Sequence, residues 1–581
     1  MRSLNQMVRG VSFFICVLLL MAGCSNALNA SAKTPSANTF ANGVVVCEHK
    51  IAAKVGADIL KKGGNAVDAA VATSYALAVV YPSSGNIGGG GFMLIRTADG
   101  KAAGIDYREK ASSKAFRDMY LDKDGNVVMN LTRNGALGVG VPGTVAGTLY
   151  ALEKYGTMSR QEVLAPAIEL AEKGFVLDYQ MAAPYDESRK ILEMFPETKA
   201  LFKKPDGSRY NAGELFVQKE LAKTLKAIAE KGRDGFYKGR VADLLVKTMK
   251  KYNGIITHKD LEDYKAVERV PVTGTYRGYG IVSMPPSSSG GIGVIEMLNI
   301  LERYDIAASG WNTAKTAHLV AEAAKRVYAD RAKYIADPDF IKVPTKKLTS
   351  KKYADVRAKD IDPMKATPSN QITHGNAAEF SIAGGETTHC SVVDKNGMAA
   401  SFSTSLCRFY GCYLAVEGAG FLLNNQMQDF SAKAGVPNKD GLAYGEENAI
   451  EPNKRMVSSM APTIVTKDGK NFMVIGSPGG VAIITALAQC IMNVIDHKME
   501  LRQAVESPRY HHQWLPDIIY YEKNMDVFSE ETAAKLKELG HEIGTKKSLG
   551  NIQAVLIDPK TGLFTGICDN RRKPAGMACG Y

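Results

Sequence analysis

Gly384-Gly385-Glu386-Thr387-Thr388-His389-Cys390-Ser391-Val392-Val393-Asp394-Lys395-Asn396-Gly397 is the stretch on which the reading of this chain turns. A glycine pair leads into two threonines that open a run of strand formers, and Asn396-Gly397 has the sequence of a tight hairpin turn. Residues 398–404 return as the second strand. By itself a threonine at the head of a strand is simply a strand former. Other short apolar runs near 271–284, 461–466 and 472–476 are bounded by Gly, Pro or Asn-Gly and also predict strands. Toward the start of the chain the period changes. Ile51, Val55 and Ile59 recur every four residues within 48–62, and Gly63 then stops the helix. Asn65 caps a second, almost wholly apolar helix through Val80, and 313–335 forms a third. That third helix carries Leu319, Ala323 and Val327 on one stripe and charges on the other face, which assigns it a packing role. Helices early and strands late predict a layered α/β architecture, sheets covered by helices, in one compact unit.

Composition narrows the function classes. The 581 residues are 45% hydrophobic and 23% charged, which excludes a disordered chain, a collagen-like fibre and a multi-span membrane protein. The net charge of +12 is dispersed, with no basic run interleaved with aromatics, so nucleic acid is not an expected partner. Nine cysteines include no Cys-x-x-Cys pair and nine histidines no His-Glu-x-x-His, so neither a metal nor a cofactor is expected. Of the 55 glycines, the cluster 88–91 predicts a close backbone approach. Gly138-x-Gly140-x-x-Gly143 matches a dinucleotide fingerprint as a string. It follows a polar segment and contains Pro142, so it reads as a turn before a helix. There is no phosphate-binding Gly-x-x-x-x-Gly-Lys-Ser/Thr and no Gly-x-Ser-x-Gly serine elbow.

Arg2 and Arg9 precede an apolar stretch, 11–22, too short for the roughly 20 residues that cross a bilayer and the size of an export-signal core. Met21-Ala22-Gly23-Cys24 resembles a bacterial lipoprotein signal, with Cys24 as the lipidated residue; ordinary cleavage near Ala30 or Ala32 is the other reading. Loss of residues 1–23 leaves a charge of +10. The expected location is the periplasm, free or anchored to the bacterial envelope by lipid. In that oxidising compartment a Cys407–Cys412 disulfide is open as one outcome.

The opening stretch resembles the processing site of the γ-glutamyltransferases (γ-glutamyl transpeptidases), members of the N-terminal nucleophile hydrolases. The resemblance extends over nearly all of the chain after the signal. It includes Gly63-Gly-Asn-Ala-Val-Asp-Ala-Ala70, Gly85-Asn-Ile-Gly-Gly-Gly-Gly-Phe92, Asp106-Tyr-Arg-Glu109 and Gly140-Val-Pro-Gly-Thr-Val-Ala-Gly147. Further on come Pro285-Pro-Ser-Ser-Ser-Gly-Gly291, Tyr328-Ala-Asp-Arg331, Asn424-Asn-Gln-Met427, Pro452-Asn-Lys-Arg455, Ser458-Ser-Met460 and Gly476-Ser-Pro-Gly-Gly480.

The resemblance implies a four-layer αββα sandwich and a precursor that cuts itself between Glu386 and Thr387. The products are a large piece, 24–386, and a small piece, 387–581, which stay together as a heterodimer. The physical reason is plain. A threonine hydroxyl needs a base, and the free α-amine created by the cut titrates at about 7.7–8.0 and serves as that base. Thr387 is then the implied nucleophile toward γ-glutamyl amides, glutathione above all. It passes the acyl group to water or to an amino acid or peptide.

Gly479 and Gly480 match the family's oxyanion hole, Ser405 the hydroxyl beside the nucleophile, and Arg108 the arginine that holds the donor α-carboxylate. Ser458 and Ser459 match the serines beside that carboxylate, and Gln426 and Asp429 the groups that receive the α-ammonium. Two departures stand out. Ser405 replaces a threonine, and Cys407 replaces an asparagine, removing a strong hydrogen-bond partner from the donor site. Residues 434–445 take the place of the substrate lid, with Asp440 where the family has a tyrosine and Tyr444 displaced from it. Two alternatives are kept. One is a related N-terminal threonine acylase acting on another acyl group, such as a cephalosporin-type side chain. The other is an exported binding homologue without turnover. Arg108 with Asp429 favours an amino-acid-like donor.

Overall fold

Alternation with a period of two organises the sheets. In the strand Gly43–Cys47, Val44 and Val46 face one apolar layer and Val45 and Cys47 another; in Glu386–Asp394, Val393 parts in the same way from Cys390 and Val392. Strands with two apolar faces must be covered on both. The structure, a computed structural model that describes residues 38–204, 206–373, 386–436, 444–572 and 576–581, meets this demand with two stacked antiparallel sheets between helices. The side chains of residues 180, 181, 184 and 386 are likewise not described. The export signal 1–23 with Cys24, the alternative sites Ala30 and Ala32, Gly384, Gly385 and Asp440 lie outside the described residues.

In hydrogen-bonded order the first sheet runs Met577–Gly580, Gly43–Cys47, Glu386–Asp394, Ala399–Cys407, Gly90–Arg96, Ala102–Tyr107 and Val267–Arg269. The second sheet includes Phe564–Cys568, Gln553–Ile557, Lys470–Gly476, Thr463–Lys467, Tyr279–Ser283 and Val272–Tyr276 in that order. Between them Val44, Val46, Leu94, Val393 and Ala399 share one core with Val282, Ile464, Val474, Val555 and Phe564. Helices Lys50–Lys61 and Ala66–Val80 cover the back of the first sheet over Val45, Met93, Ile95, Val392 and Phe402. Helices Gly290–Leu301, Ala314–Tyr334 and Ile483–Ile495 cover the second over Ile281, Val465, Met473, Ile475 and Ala554. Full burial of each such side chain favours the fold by about 1.5–3 kcal/mol, which these three cores repeat many times. The result is the expected αββα sandwich, and 40–581 form one unit.

The expected hairpin is present, turning at Gly397 with φ +83°. Asn65 caps Ala66–Val80 through a capping box with Asp68. The glycines 88–91 do mark a close approach: a Cβ on Gly89 would lie 2.1 Å from the Ser405 carbonyl, and one on Gly91 2.1 Å from that of Ser403. The dinucleotide-like string is indeed a turn before the helix Thr144–Tyr155. The amides of Gly143 and Thr144 both donate to the Gly89 carbonyl and are spent within the fold.

The packing role of Ala314–Tyr334 extends to its charged face: Glu322, Lys325, Arg326, Asp330 and Arg331 are buried, because other segments pack against that face and supply partners. Cys407 and Cys412 are not joined by a disulfide. The Cys407 sulfur accepts from Gln428 in a polar pocket, whereas Cys412 packs in the apolar core behind the first sheet.

Candidate active site

Because side chains alternate, Thr387, His389, Ser391 and Val393 share the face that looks toward the second sheet. Val393 belongs to the apolar core there, while the other end of the strand is polar. His389 Nδ1 lies 2.8 Å from Ser403 Oγ and its Nε2 3.1 Å from Ser391 Oγ, and Ser391 donates to the Gln553 carbonyl at 3.0 Å. Burial pushes His389 down to about 3, so it is neutral and too weak a base to activate a hydroxyl. Thr387 heads this column. Its Oγ1 donates to Ser405 Oγ at 3.4 Å, and Ser405 Oγ accepts the Cys407 amide at 2.8 Å.

The ladder slips at this point. Thr387 pairs with Ser405 but Glu386 with Cys407, so Leu406 is an extra residue opposite the Glu386–Thr387 bond. Cys407 takes φ +77°, a conformation costly for a side chain other than glycine or asparagine. Bulges of this kind re-aim residues beside active sites.

The pocket beside Thr387 brings together Ser405, Cys407, Arg108, Gln426, Asp429, Ser458, Ser459 and Gly480, with Arg331 and Tyr444. Gly479 is the neighbour of Gly480 in the link from Lys470–Gly476 to Ile483–Ile495, with φ +135° and +55° for the two glycines. A Cβ on Gly479 would lie 2.7 Å from Gly550 Cα, so the link must be bare backbone.

Arg108 follows the strand Ala102–Tyr107 and is 1% exposed. Its Nη2 meets Asp429 Oδ2 at 2.5 Å and the Val457 carbonyl at 3.1 Å, and its Nη1 meets Glu109 Oε2 at 3.3 Å. Two acids thus share one guanidinium in a dry place. Burial outweighs Arg108 and raises both carboxyls, Glu109 to about 7. Glu109 Oε1 and both polar atoms of the Gln426 amide are buried without a hydrogen-bond partner. Unused buried capacity is rare in folded proteins and suits a site built for a polar ligand.

Ser459 Oγ accepts from Arg331 Nη2 at 3.2 Å, while Ser458 Oγ accepts from the Met460 amide and its carbonyl takes the Ser289 hydroxyl. Cys407 Sγ accepts from Gln428 Nε2 at 2.8 Å and lies 3.7 Å from Asp429 Oδ1. Tyr444, though displaced in sequence, still lines the pocket. Its hydroxyl accepts from Arg331 Nη2 at 2.9 Å and its ring stacks on that guanidinium at 4.9 Å.

Arg331, in the pocket lining, and Glu109 and Gln428, which bond to the lining residues Arg108 and Cys407, were given no role by sequence reasoning. Glu109 reads as a surface partner of Arg108, and Arg331 closes a quoted motif, Tyr328-Ala-Asp-Arg331, to which no task was given. Chemically, the pocket sets the Thr387 hydroxyl in one lining with a buried guanidinium, a carboxyl and an amide with unused hydrogen-bonding capacity.

A threonine at the head of a central strand in a four-layer sandwich matches the arrangement of the N-terminal nucleophile hydrolases. Within that class the chain belongs to the gamma-glutamyltranspeptidase family, whose family model matches residues 52–579. It is 47% identical over 530 residues to a glutathione hydrolase proenzyme of Escherichia coli, covering 91% of this chain and 90% of the relative. Among solved structures, a cephalosporin acylase from Bacillus halodurans superposes with a TM-score of 0.80 at 28% identity, covering 95% of this chain and 98% of its own. A gamma-glutamyltranspeptidase chain from Helicobacter pylori matches at 46% identity and a TM-score of 0.56, covering 60% of this chain and 99% of its own.

Proposed function

We propose that the chain is the precursor of a γ-glutamyltransferase and glutathione hydrolase that opens its own Glu386–Thr387 bond. The observation that carries this reading is the placement of Thr387 at the bulged start of its strand, in one pocket with the Arg108–Asp429 pair. In maturation Thr387 Oγ1 attacks the Glu386 carbonyl, the peptide nitrogen leaves as the Thr387 amine, and water hydrolyses the ester. Residues 24–386 and 387–581 are the two pieces. The Helicobacter pylori chain is itself covered to 99% while covering 60% of this chain, a share close to that of the larger proposed piece, which supports a division into two unequal pieces.

In turnover the freed amine takes the hydroxyl proton and Thr387 attacks the donor's γ-carbonyl. The amides of Gly479 and Gly480 face the developing oxyanion, and the leaving amine receives the proton. Removing one such donor typically costs about 10²–10³ in rate. Arg108 holds the α-carboxylate, with Ser458 and Ser459 beside it, and Asp429 and Gln426 receive the α-ammonium. Water or an amino acid or peptide amine then takes the γ-glutamyl group from Thr387. The zwitterion clamp favours this donor over the acyl group of a cephalosporin-type side chain.

Residues 1–23 act as an export signal in this reading. The product works in the periplasm, either lipid-anchored at Cys24 or free after cleavage near Ala30 or Ala32. Denaturing electrophoresis with a γ-glutamyl anilide assay tests the core of the proposal. Two unequal fragments and release of the anilide are expected; one uncut, inactive chain would refute it.

A further inference from the structure

Apart from the nucleophile pocket, the helix Ala314–Tyr334 presents a second cluster of chemical groups. His318 and Glu322 stand four residues apart and therefore share one helix face. His541, between the helix Glu530–Glu538 and the strand Glu542–Lys546, meets them, and one ligand-capable atom from each of the three lies within 4.8 Å of the other two. All three residues are buried, and none lines the nucleophile pocket.

The hydrogen bonding settles which lone pairs face inward. His318 Nε2 lies 2.8 Å from the Asp362 carbonyl oxygen, which accepts only, so that nitrogen carries the proton and Nδ1 offers its lone pair. Nδ1 points at His541 Nε2 from 2.8 Å. Two imidazole nitrogens aimed at each other hold one proton between them, at a place where a cation can stand instead. The Nε2–H to carbonyl bond is also the usual outer support of a metal-bound histidine.

Charge balance points the same way. Glu322, Asp360 and Asp517 surround Lys325 and Arg326, with contacts of 2.8–3.1 Å, leaving one negative charge in excess. Glu322 accepts from Arg326 and from the Thr367 amide and faces Lys325, which leaves one of about four carboxylate lone-pair sites open.

We infer that His318, Glu322 and His541 form a binding site for a divalent cation of the zinc type. Two imidazoles and one carboxylate are zinc chemistry. Bonds of about 2.0–2.1 Å set neighbouring ligand atoms at about 3.3 Å. The two histidines would therefore part by roughly half an ångström and Glu322 would draw in, leaving a fourth position to water. On binding, the proton between the rings moves to His541 Nδ1, so each ring keeps one proton and both stay neutral. The site also joins the two sides of the Glu386–Thr387 bond, since His318 and Glu322 precede it and His541 follows it. That bridging of fragments rests on the proposed cleavage, whereas metal uptake does not. The search of the sequence for histidine pairs missed the cluster because its helical pair is His–Glu and the second histidine stands 223 residues from the first.

The test uses the purified full-length protein, stripped with a chelator and titrated with zinc ion alone. One zinc per chain and a rise of a few degrees in the thermal midpoint are expected. Cobalt(II) in place of zinc should give the visible absorption of a tetrahedral site. His541→Gln and, separately, His318→Gln should weaken uptake by at least the ~100-fold seen when outer supports alone are removed, and should abolish the cobalt absorption. The Thr387→Ala chain should bind zinc as tightly as the parent, so failure of cleavage and failure of metal binding are read apart. No stoichiometric uptake by the parent, or equal uptake by both glutamine variants, would overturn the inference.

Discussion

Two buried ion networks in this molecule look alike in composition and behave in opposite ways. Around Arg108, two carboxylates share one guanidinium, and Glu109 Oε1 and the neighbouring Gln426 amide are left without partners. Around Arg509 and Arg571, Asp569 and Glu522 are saturated. Asp569 meets both arginines at 2.8–2.9 Å and the Ile552 amide at 3.1 Å, and Glu522 takes Arg571 together with the amides of Arg509 and Leu549. None of these four side chains carries a buried polar atom without a partner.

The carboxyls record the difference. Burial wins over Arg108 and raises Glu109 and Asp429; at Asp569 burial also pushes up, but two arginines and the hydrogen bonds outweigh it and hold the carboxyl below its usual range. A saturated network braces the fold. An unsaturated one keeps hydrogen-bonding capacity in reserve.

The largest effect that would sharpen this contrast is loss of the nucleophile. Thr387→Ala is expected to leave one uncut chain and to lower turnover by about 10⁴-fold or more, read by electrophoresis and anilide release. Next, Arg108→Ala and Arg571→Ala should part company. Removing Arg571 leaves a buried, uncompensated charge and should cost about 3–5 kcal/mol of stability in denaturant unfolding. Removing Arg108 should raise KM for γ-glutamyl donors steeply with a smaller loss of stability, because burial already works against the charged forms of Glu109 and Asp429. Equal destabilisation by the two changes would break the comparison.

The pH dependence of stability has opposite signs in the two places. Glu109 moves from 4.5 to about 7 on folding, so the native state holds its proton more tightly and stability falls as pH rises between those values, by roughly 3 kcal/mol from this group. Glu109→Gln should therefore stabilise the protein at pH 8 more than at pH 5. The Asp569 contribution runs the other way: it is present above the usual carboxylate range and lost as pH falls below it. Thermal midpoints of the Glu109→Gln and Asp569→Asn variants at several pH values check both signs.

The smallest expected effect is at Cys407. Cys407→Asn places a residue that tolerates φ +77° at the bulge and gives the donor amine a stronger partner, worth about 1.5–3 kcal/mol if fully realised. A lower KM with unchanged kcat is expected; an unchanged KM would mean that Gln428 and the Cys407 thiol already do the asparagine's work.

How much of this was legible in the sequence follows the physics of each signal. The hairpin 386–407 and the capped helix Ala66–Val80 were plain, because turn and cap residues act locally. The strands Gly43–Cys47, Gly90–Arg96 and Gln553–Ile557 were not singled out. Buried on both faces, they are short apolar runs without a readable alternation. The packing role of Ala314–Tyr334 was legible from its apolar stripe, but not that its charges form the inner wall of the pocket and of the histidine cluster. The adjacency of Arg108 and Glu109 says nothing by itself of burial. Only the long-range approach of Asp429 and the loop 456–459 makes them a buried clamp, and no local pattern encodes that approach.

The amino terminus of the smaller fragment, read by chemical sequencing together with intact mass, tests the central claim most directly. The account predicts a free threonine followed by Thr-His-Cys-Ser, with a mass matching residues 387–581. An active preparation in which every chain still spans the Glu386–Thr387 bond would contradict it.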